Sequence, residues 1–318
     1  MNFAINAARK SRPRIRGAIT ALATPFIDGK LDEVGLMALV EWQIRSGIDG
    51  LAVCSVTGEG PVLDAEERKK IVAIAVEIAE GKVPVIVATG TNSTATTIAR
   101  TREAEALGAD VALVTIPYYS KPTQKGICHH FEAIAANSGI PLMVDNAPSH
   151  TALDATPATI ERLAEIQAII GIRDATGDVS RIASLQPALR ERFTLLSGHD
   201  PTALAFAMAG GHGTISAVAN VVPRLVASMQ RATNAGHIPT ALSIYERFFP
   251  LIRALRRESE PVGVKYALHL LRKLDPEVRL PLVPIEPETE AAIHAALQPF
   301  MNDRMSRVEA GSLIRFDI

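Results

Sequence analysis

The chain has 318 residues, 47% of them apolar, which suits one large domain or a barrel with an appendage. Its formal net charge of -1 gives no footing for nucleic acid or an anionic membrane surface. No apolar run reaches the ~18 residues that a membrane span needs, and at this length roughly three quarters of the unfolded surface can be buried without a disulfide or metal staple.

The first sixteen residues are basic, with Arg9, Lys10, Arg12, Arg14 and Arg16 and no acid before Asp28. They lack the apolar core of a secretory signal and read as a solvated arm (1–16); an organelle transit segment and a polyanion contact are the alternatives. From residue 17, short apolar runs alternate with longer helical stretches. Residues 17–23 (GAITALA) predict a strand, followed by a helix near 32–46. A second strand covers 50–55. The helix after it starts at Asp64, with Glu67 as its capping-box partner and Ile71, Ile74, Ala75 and Ile78 on one face. Further strands are expected at 83–88, 110–115, 141–145, 168–172, 193–196 and 213–216. Thr156 and Pro157 read as an N-cap and first helical position. After Gly177 a turn gives way to a helix opening at Asp178.

These strands are apolar along their whole length, as parallel strands covered on both faces are. Eight of them separated by helices predict an α/β fold, a closed (β/α)8 TIM barrel over 17–233. An open doubly wound sheet is the rival, weakened because no GxGxxG follows the first strand. Beyond Asn220 the strands stop. Helical patterns at 241–257, 261–274 and 288–297, with Pro281, Pro284 and Pro287 between the last two, predict a C-terminal helical appendage over 234–300. A polar tail, 301–318, follows. Cys54 and Cys128 lie far apart and form no CxxC pair, so free thiols in a reducing, cytoplasmic setting are expected.

In such a barrel, side chains at the C-terminal strand ends face the active site. Strand two is followed by Ser55-Val56-Thr57-Gly58-Glu59-Gly60, a turn able to aim N–H groups at a carboxylate or phosphate, or simply a tight barrel turn. Strand four is followed by adjacent Tyr118 and Tyr119, whose hydroxyls suit a proton relay, an interface crossing or ordinary packing. Asp145 and His150 follow strand five and could form an acid–base pair. No compact ligand spacing supports a metal there, and no cofactor is assigned. His129 and His130 fall mid-helix, away from the strand ends.

Taken in order, GAITALATPF, SVTGEG, PYYSKPTQ, VDNAPSHT, GIRDATGD, LLSGHD and GTISAVANVVP resemble one family across residues 17–297. It is the pyruvate-dependent class I aldolases and synthases, comprising dihydrodipicolinate synthase, N-acetylneuraminate lyase and their relatives. VDNAPSHT leans toward the synthase branch. The resemblance implies a small keto-acid ligand, no resident cofactor, and a homotetramer built from tight dimers. It assigns Tyr119 the place of a tyrosine that reaches into a neighbouring subunit. Thr57 and Gly58 keep part of the carboxylate-binding turn, and Ile215 keeps the strand-eight pocket position. Against the family pattern, Arg173 stands where the imine-forming lysine belongs. Val56 replaces the relay threonine, Asp145 the second tyrosine and His150 the mouth arginine.

A guanidinium stays protonated and its lone pairs are delocalised, so it does not add to a ketone as an amine does. It binds carboxylates well, and deep in a barrel it needs a partner. Asp145, ending the neighbouring strand, is the expected partner across the pocket floor. Lys121 and Lys265 match basic positions of the family pattern and offer no relocated nucleophile. Three functions follow: ordinary imine chemistry, altered lyase-type chemistry in which Arg173 clamps an acid while Asp145 or His150 moves protons, and a non-catalytic carboxylate-binding or regulatory paralogue.

Overall fold

The computed structural model describes residues 15–301. The expected arm up to Arg14 and the tail beyond Met301 lie outside the described residues.

All eight expected strands form. They are β1 (Gly17–Ala21), β2 (Gly50–Val53), β3 (Val85–Ala88), β4 (Val111–Thr115), β5 (Leu142–Asn146), β6 (Ile169–Asp174), β7 (Thr194–Ser197) and β8 (Gly213–Ser216). Each pairs in parallel with its sequence neighbour, and β1 closes on β8, so the sheet is a closed barrel. The open-sheet rival is thereby excluded. The closing register sets Gly17 opposite Gly213. A Cβ on Gly213 would come within 2.2 Å of the Gly17 carbonyl oxygen, so only glycine allows that approach. Inside the barrel Ile19, Ile86, Leu113, Met143, Leu196 and Ile215 interdigitate, while two apolar shells fill the space between sheet and helices.

The helices follow the alternation: α1 (Glu33–Arg45), α2 (Ala65–Ala79), α3 (Thr94–Ala106), α4 (Gln124–Ala135) and α5 (Pro157–Ala164). The capping box of α2 is present, with Asp64 accepting from the Glu67 amide and the Glu67 side chain accepting from the Asp64 amide. The expected helix at Asp178 is corrected. Asp178 spends its carboxylate on Ser180, and the segment divides into α6 (Ser180–Ser184) and α7 (Pro187–Arg192). Pro187 disfavours the helical conformation of the residue before it, which breaks the helix there. A two-stranded ribbon, Phe26–Ile27 with Lys30–Leu31, was not expected. Its turn is Asp28-Gly29 with both φ angles positive, the pairing a two-residue hairpin favours.

After α8 (Ala203–Met208) and α9 (Pro223–Asn234), the appendage comprises α10 (Ile238–Leu255), α11 (Val262–Leu270) and α12 (Pro287–Met301). Phe248, Leu251 and Ile252 of α10 are buried, so the appendage shares the barrel's outer core. Among the described residues no helix is long and apolar enough to cross a membrane. Cys54 and Cys128 are both buried and unpaired.

Candidate functional site

The C-terminal ends of β5 to β8 and the start of α11 enclose a cavity of about 340 Å³. Its lining includes His150, Arg173, Gly198, His199, Asp200, Arg256, Glu258 and Glu260. A second cavity, of about 500 Å³, opens between Arg16, Ala164, Arg192 and His212. Arg16 and His212 precede β1 and β8, so that cavity lies at the opposite end of the barrel, where the strands begin. The strand-end cavity is the one that gathers charged groups as a barrel active site does.

Arg173 and Asp145 are register partners on β6 and β5. The Arg173 Nη1–H donates to Asp145 Oδ1 at 2.8 Å, and Nη2–H donates to the Gly198 carbonyl at 3.2 Å. Side-chain exposures of 14% and 13% make this a largely buried ion pair. Burial, the largest influence, opposes the charge on Arg173, but the carboxylates of Asp145, Glu260 and Asp200 together outweigh it, and the pKa is held above the ordinary arginine value. The pairing expected from the sequence is present. His150 rides on a one-turn helix, Pro148–Thr151, at the cavity's edge.

The SVTGEG turn is tight: the Glu59 amide donates to Val56 O and the Gly60 amide to Ser55 O. Thr24 Oγ1 donates to Gly58 O and fixes the turn against β1's exit. Thr57 is buried, and its hydroxyl donates to the carboxylate of Glu260 at the head of α11. Of the other expected residues, Val56 is exposed, Gly58 is buried in the turn, and Ile215 is buried in the barrel interior. Tyr119 stands apart on the loop after β4, 90% exposed and with positive φ. The structure thus brings Arg173 and Asp145 together, sets His150 and Arg173 in one cavity, ties Thr57 to that cavity through Glu260, and leaves Tyr119 outside it.

Glu260 and Asp200 are functional candidates that the sequence reading missed. Asp200 Oδ2 accepts from the Ala217 and Val218 amides, and burial pushes its pKa up despite these bonds. The aspartate of LLSGHD was a usable signal for it. No local signal marks Glu260, which meets a turn 203 residues away.

Among the described residues no lysine lines the strand-end cavity. Lys265 is fully buried, pairs with Glu59 at 2.5 Å and donates to the Glu277 carbonyl at 2.6 Å. Its ammonium also lies over one ring, that of Phe26, which Arg279 contacts as well. This cluster clamps the appendage to the SVTGEG turn and leaves Lys265 no free face. Lys121 is exposed. Among the described residues no group of three or more His, Cys, Asp or Glu side chains could hold a metal ion.

A closed parallel barrel with a charged pocket at its strand ends defines a (β/α)8 protein of the enzyme-like class, its pocket roofed by a helical appendage. Residues 14–299 match the profile of the Dihydrodipicolinate synthetase family. The chain is 44% identical to the 4-hydroxy-tetrahydrodipicolinate synthase of Nitrobacter hamburgensis over 90% of its own length and 99% of that protein. It is 46% identical to that of Rhizobium meliloti over 89% and 97% respectively. The solved 4-hydroxy-tetrahydrodipicolinate synthase of Methylacidiphilum fumariolicum SolV superposes with a TM-score of 0.89 at 37% identity, covering 93% of this chain and 99% of that one. The chain belongs to the dihydrodipicolinate synthetase family.

Proposed function

We propose that this chain is a lyase-type member of its family that handles a small, pyruvate-like keto acid without forming an imine. Arg173 serves as a fixed cation at the place of the family lysine. The observation that carries the reading is the 2.8 Å contact with Asp145 that holds Arg173 at the wall of a cavity that, among the described residues, no lysine lines. Two of the five N–H groups of Arg173 are committed, to Asp145 and Gly198, which leaves donors for a carboxylate or an enolate oxygen. A fixed positive charge beside a developing enolate stabilises it electrostatically, and His150 at the edge is the group suited to move the proton. The curated relatives named above are 4-hydroxy-tetrahydrodipicolinate synthases, and on this reading the chain keeps their barrel frame with Arg173 in place of an imine-forming lysine.

A homotetramer in a reducing, cytoplasmic compartment belongs to this reading. An almost fully exposed tyrosine held at positive φ makes sense when a second subunit covers it, and two buried free thiols suit reducing conditions. A second reading, a non-catalytic carboxylate binder, draws on Asp145: its carboxylate is engaged by Arg173 and does not line the cavity, so one expected acid–base group is occupied.

Incubation with pyruvate and borohydride, followed by intact mass, tests the first reading. No adduct is expected, and an adduct on any lysine overturns it. A thermal-shift screen of small keto acids should show stabilisation that Arg173→Ala abolishes. Turnover that is lost in His150→Ala, with ligand binding kept, would separate the enzyme from the binder.

A further inference from the structure

The strand-end cavity carries more negative than positive charge. Its lining holds two guanidiniums, Arg173 and Arg256, and three carboxylates, Asp200, Glu258 and Glu260. Arg173 is already matched by Asp145, which is not part of the lining. Two of the three carboxylates take their hydrogen bonds from neutral groups: Asp200 from the amides of Ala217 and Val218, with Arg173 near enough to attract it, and Glu258 from the amide of Glu286. Glu260 is held by a neutral hydroxyl. Thr57 fixes it from the barrel side, and Arg173 is near enough to attract it.

Two consequences follow. Thr57's hydroxyl hydrogen is directed to a carboxylate of the chain itself, so the SVTGEG turn does not offer that donor to a ligand carboxylate. The ligand's acid group is left to the guanidiniums, of which Arg173 is the one at the strand ends. Elsewhere on the lining, near enough to Arg173 for the two charges to interact, Glu260 presents an anchored anion that repels a second acid group and attracts a donor-bearing cation.

We infer that Glu260 is a specificity-determining residue, and that the cavity takes a 2-keto acid whose other end carries a cationic hydrogen-bond donor, an ammonium or guanidinium group. This rests on the keto-acid reading given above and narrows it. The carboxylate of such a ligand sits on the free N–H groups of Arg173, and its cationic tail meets Glu260 and Asp200. The volume, about 340 Å³, holds on the order of ten water-sized groups and admits a chain of that length.

The test uses two ligands with the same keto-acid head, similar length and opposite tail charge, 5-guanidino-2-oxopentanoate and 2-oxoglutarate. Titration calorimetry on the full chain should show the guanidino acid binding at least about tenfold more tightly. Glu260→Gln, nearly isosteric and able to keep the Thr57 contact, should erase most of that ratio. Glu260→Lys should invert it. The inference is overturned if the wild type binds both equally or prefers 2-oxoglutarate, or if Glu260→Gln folds normally by circular dichroism and leaves the ratio unchanged. Arg173→Ala separates this from the broader reading. Loss of both ligands in Arg173→Ala, with a ratio that ignores position 260, would retain the keto-acid site and discard the role of Glu260. Absence of binding by either ligand to the wild type would discard both.

Discussion

Asp145 and Arg173 face each other across the β5–β6 ladder and close a 2.8 Å ion pair at the mouth of the barrel. The pair is largely buried, so removing one member strands the other. Asp145→Ala is expected to destabilise the fold by about 3 to 5 kcal/mol, read from denaturant midpoints. The double replacement Asp145→Leu with Arg173→Met should cost much less than the single change, because no uncompensated charge remains. Equal losses in the single and double variants would show that the two charges are not coupled.

Arg173→Lys places a primary amine at the end of β6, beside the Asp145 carboxylate. A borohydride-trapped pyruvate adduct at position 173 is expected in this variant and not in the wild type. Mass spectrometry of tryptic peptides decides it. A variant that folds and binds pyruvate yet gives no adduct would mean that the strand-end position is not the one the family uses.

His130 supplies a pH dependence away from the site. Its Nδ1 pairs with Thr94 Oγ1 at 2.9 Å, its ring packs edge-on against Phe131, and burial pushes its pKa down from 6.5 to about 4. Between those values the unfolded chain takes up a proton that the folded chain refuses. Stability is therefore complete above pH 6.5 and falls as the pH drops toward 4, by on the order of 3 kcal/mol across the window. Denaturant midpoints at pH 7 and pH 5 should differ less in His130→Gln than in the wild type. The same difference in both would assign the acid sensitivity to other groups.

Tyr119 is 90% exposed in the single chain. Sedimentation velocity is expected to show a species larger than a monomer, and Tyr119→Ala should shift the distribution toward smaller species. A stable wild-type monomer would remove the reason for that tyrosine's place.

Gly213→Ala would drive a Cβ into the backbone of Gly17, within 2.2 Å of its carbonyl oxygen. Because the contact is with the strand that closes the barrel, neither side can yield cheaply. A loss on the order of 3 kcal/mol is expected in a thermal or denaturant melt, and a change under 1 kcal/mol would mean that the β1–β8 seam tolerates separation.

Much of the frame was legible because local patterns and global fold agree. Parallel strands buried on both faces announce themselves as unbroken apolar runs, and all eight runs became strands. The ribbon at Phe26–Leu31 was missed although its Asp28-Gly29 turn stood in plain sight, since strands of two residues leave no periodicity to read. The break before Pro187 was also written in the chain, but the helical pattern from Asp178 masked it. The Arg173–Asp145 pair could be foreseen because consecutive strands of a barrel are neighbours, so residues at their ends must meet.

The sequence by itself determined the barrel, the family and the presence of a guanidinium at the end of β6, because these depend on strand periodicity and on residue identity at strand ends. Only the tertiary structure decided what surrounds that guanidinium. Glu260 reaches Thr57 across 203 residues, and Lys265 locks Glu59 from the same appendage. Contacts of that range follow from how α10 to α12 pack against the barrel's outer core, a balance of many weak apolar contacts that leaves no trace in spacing or composition.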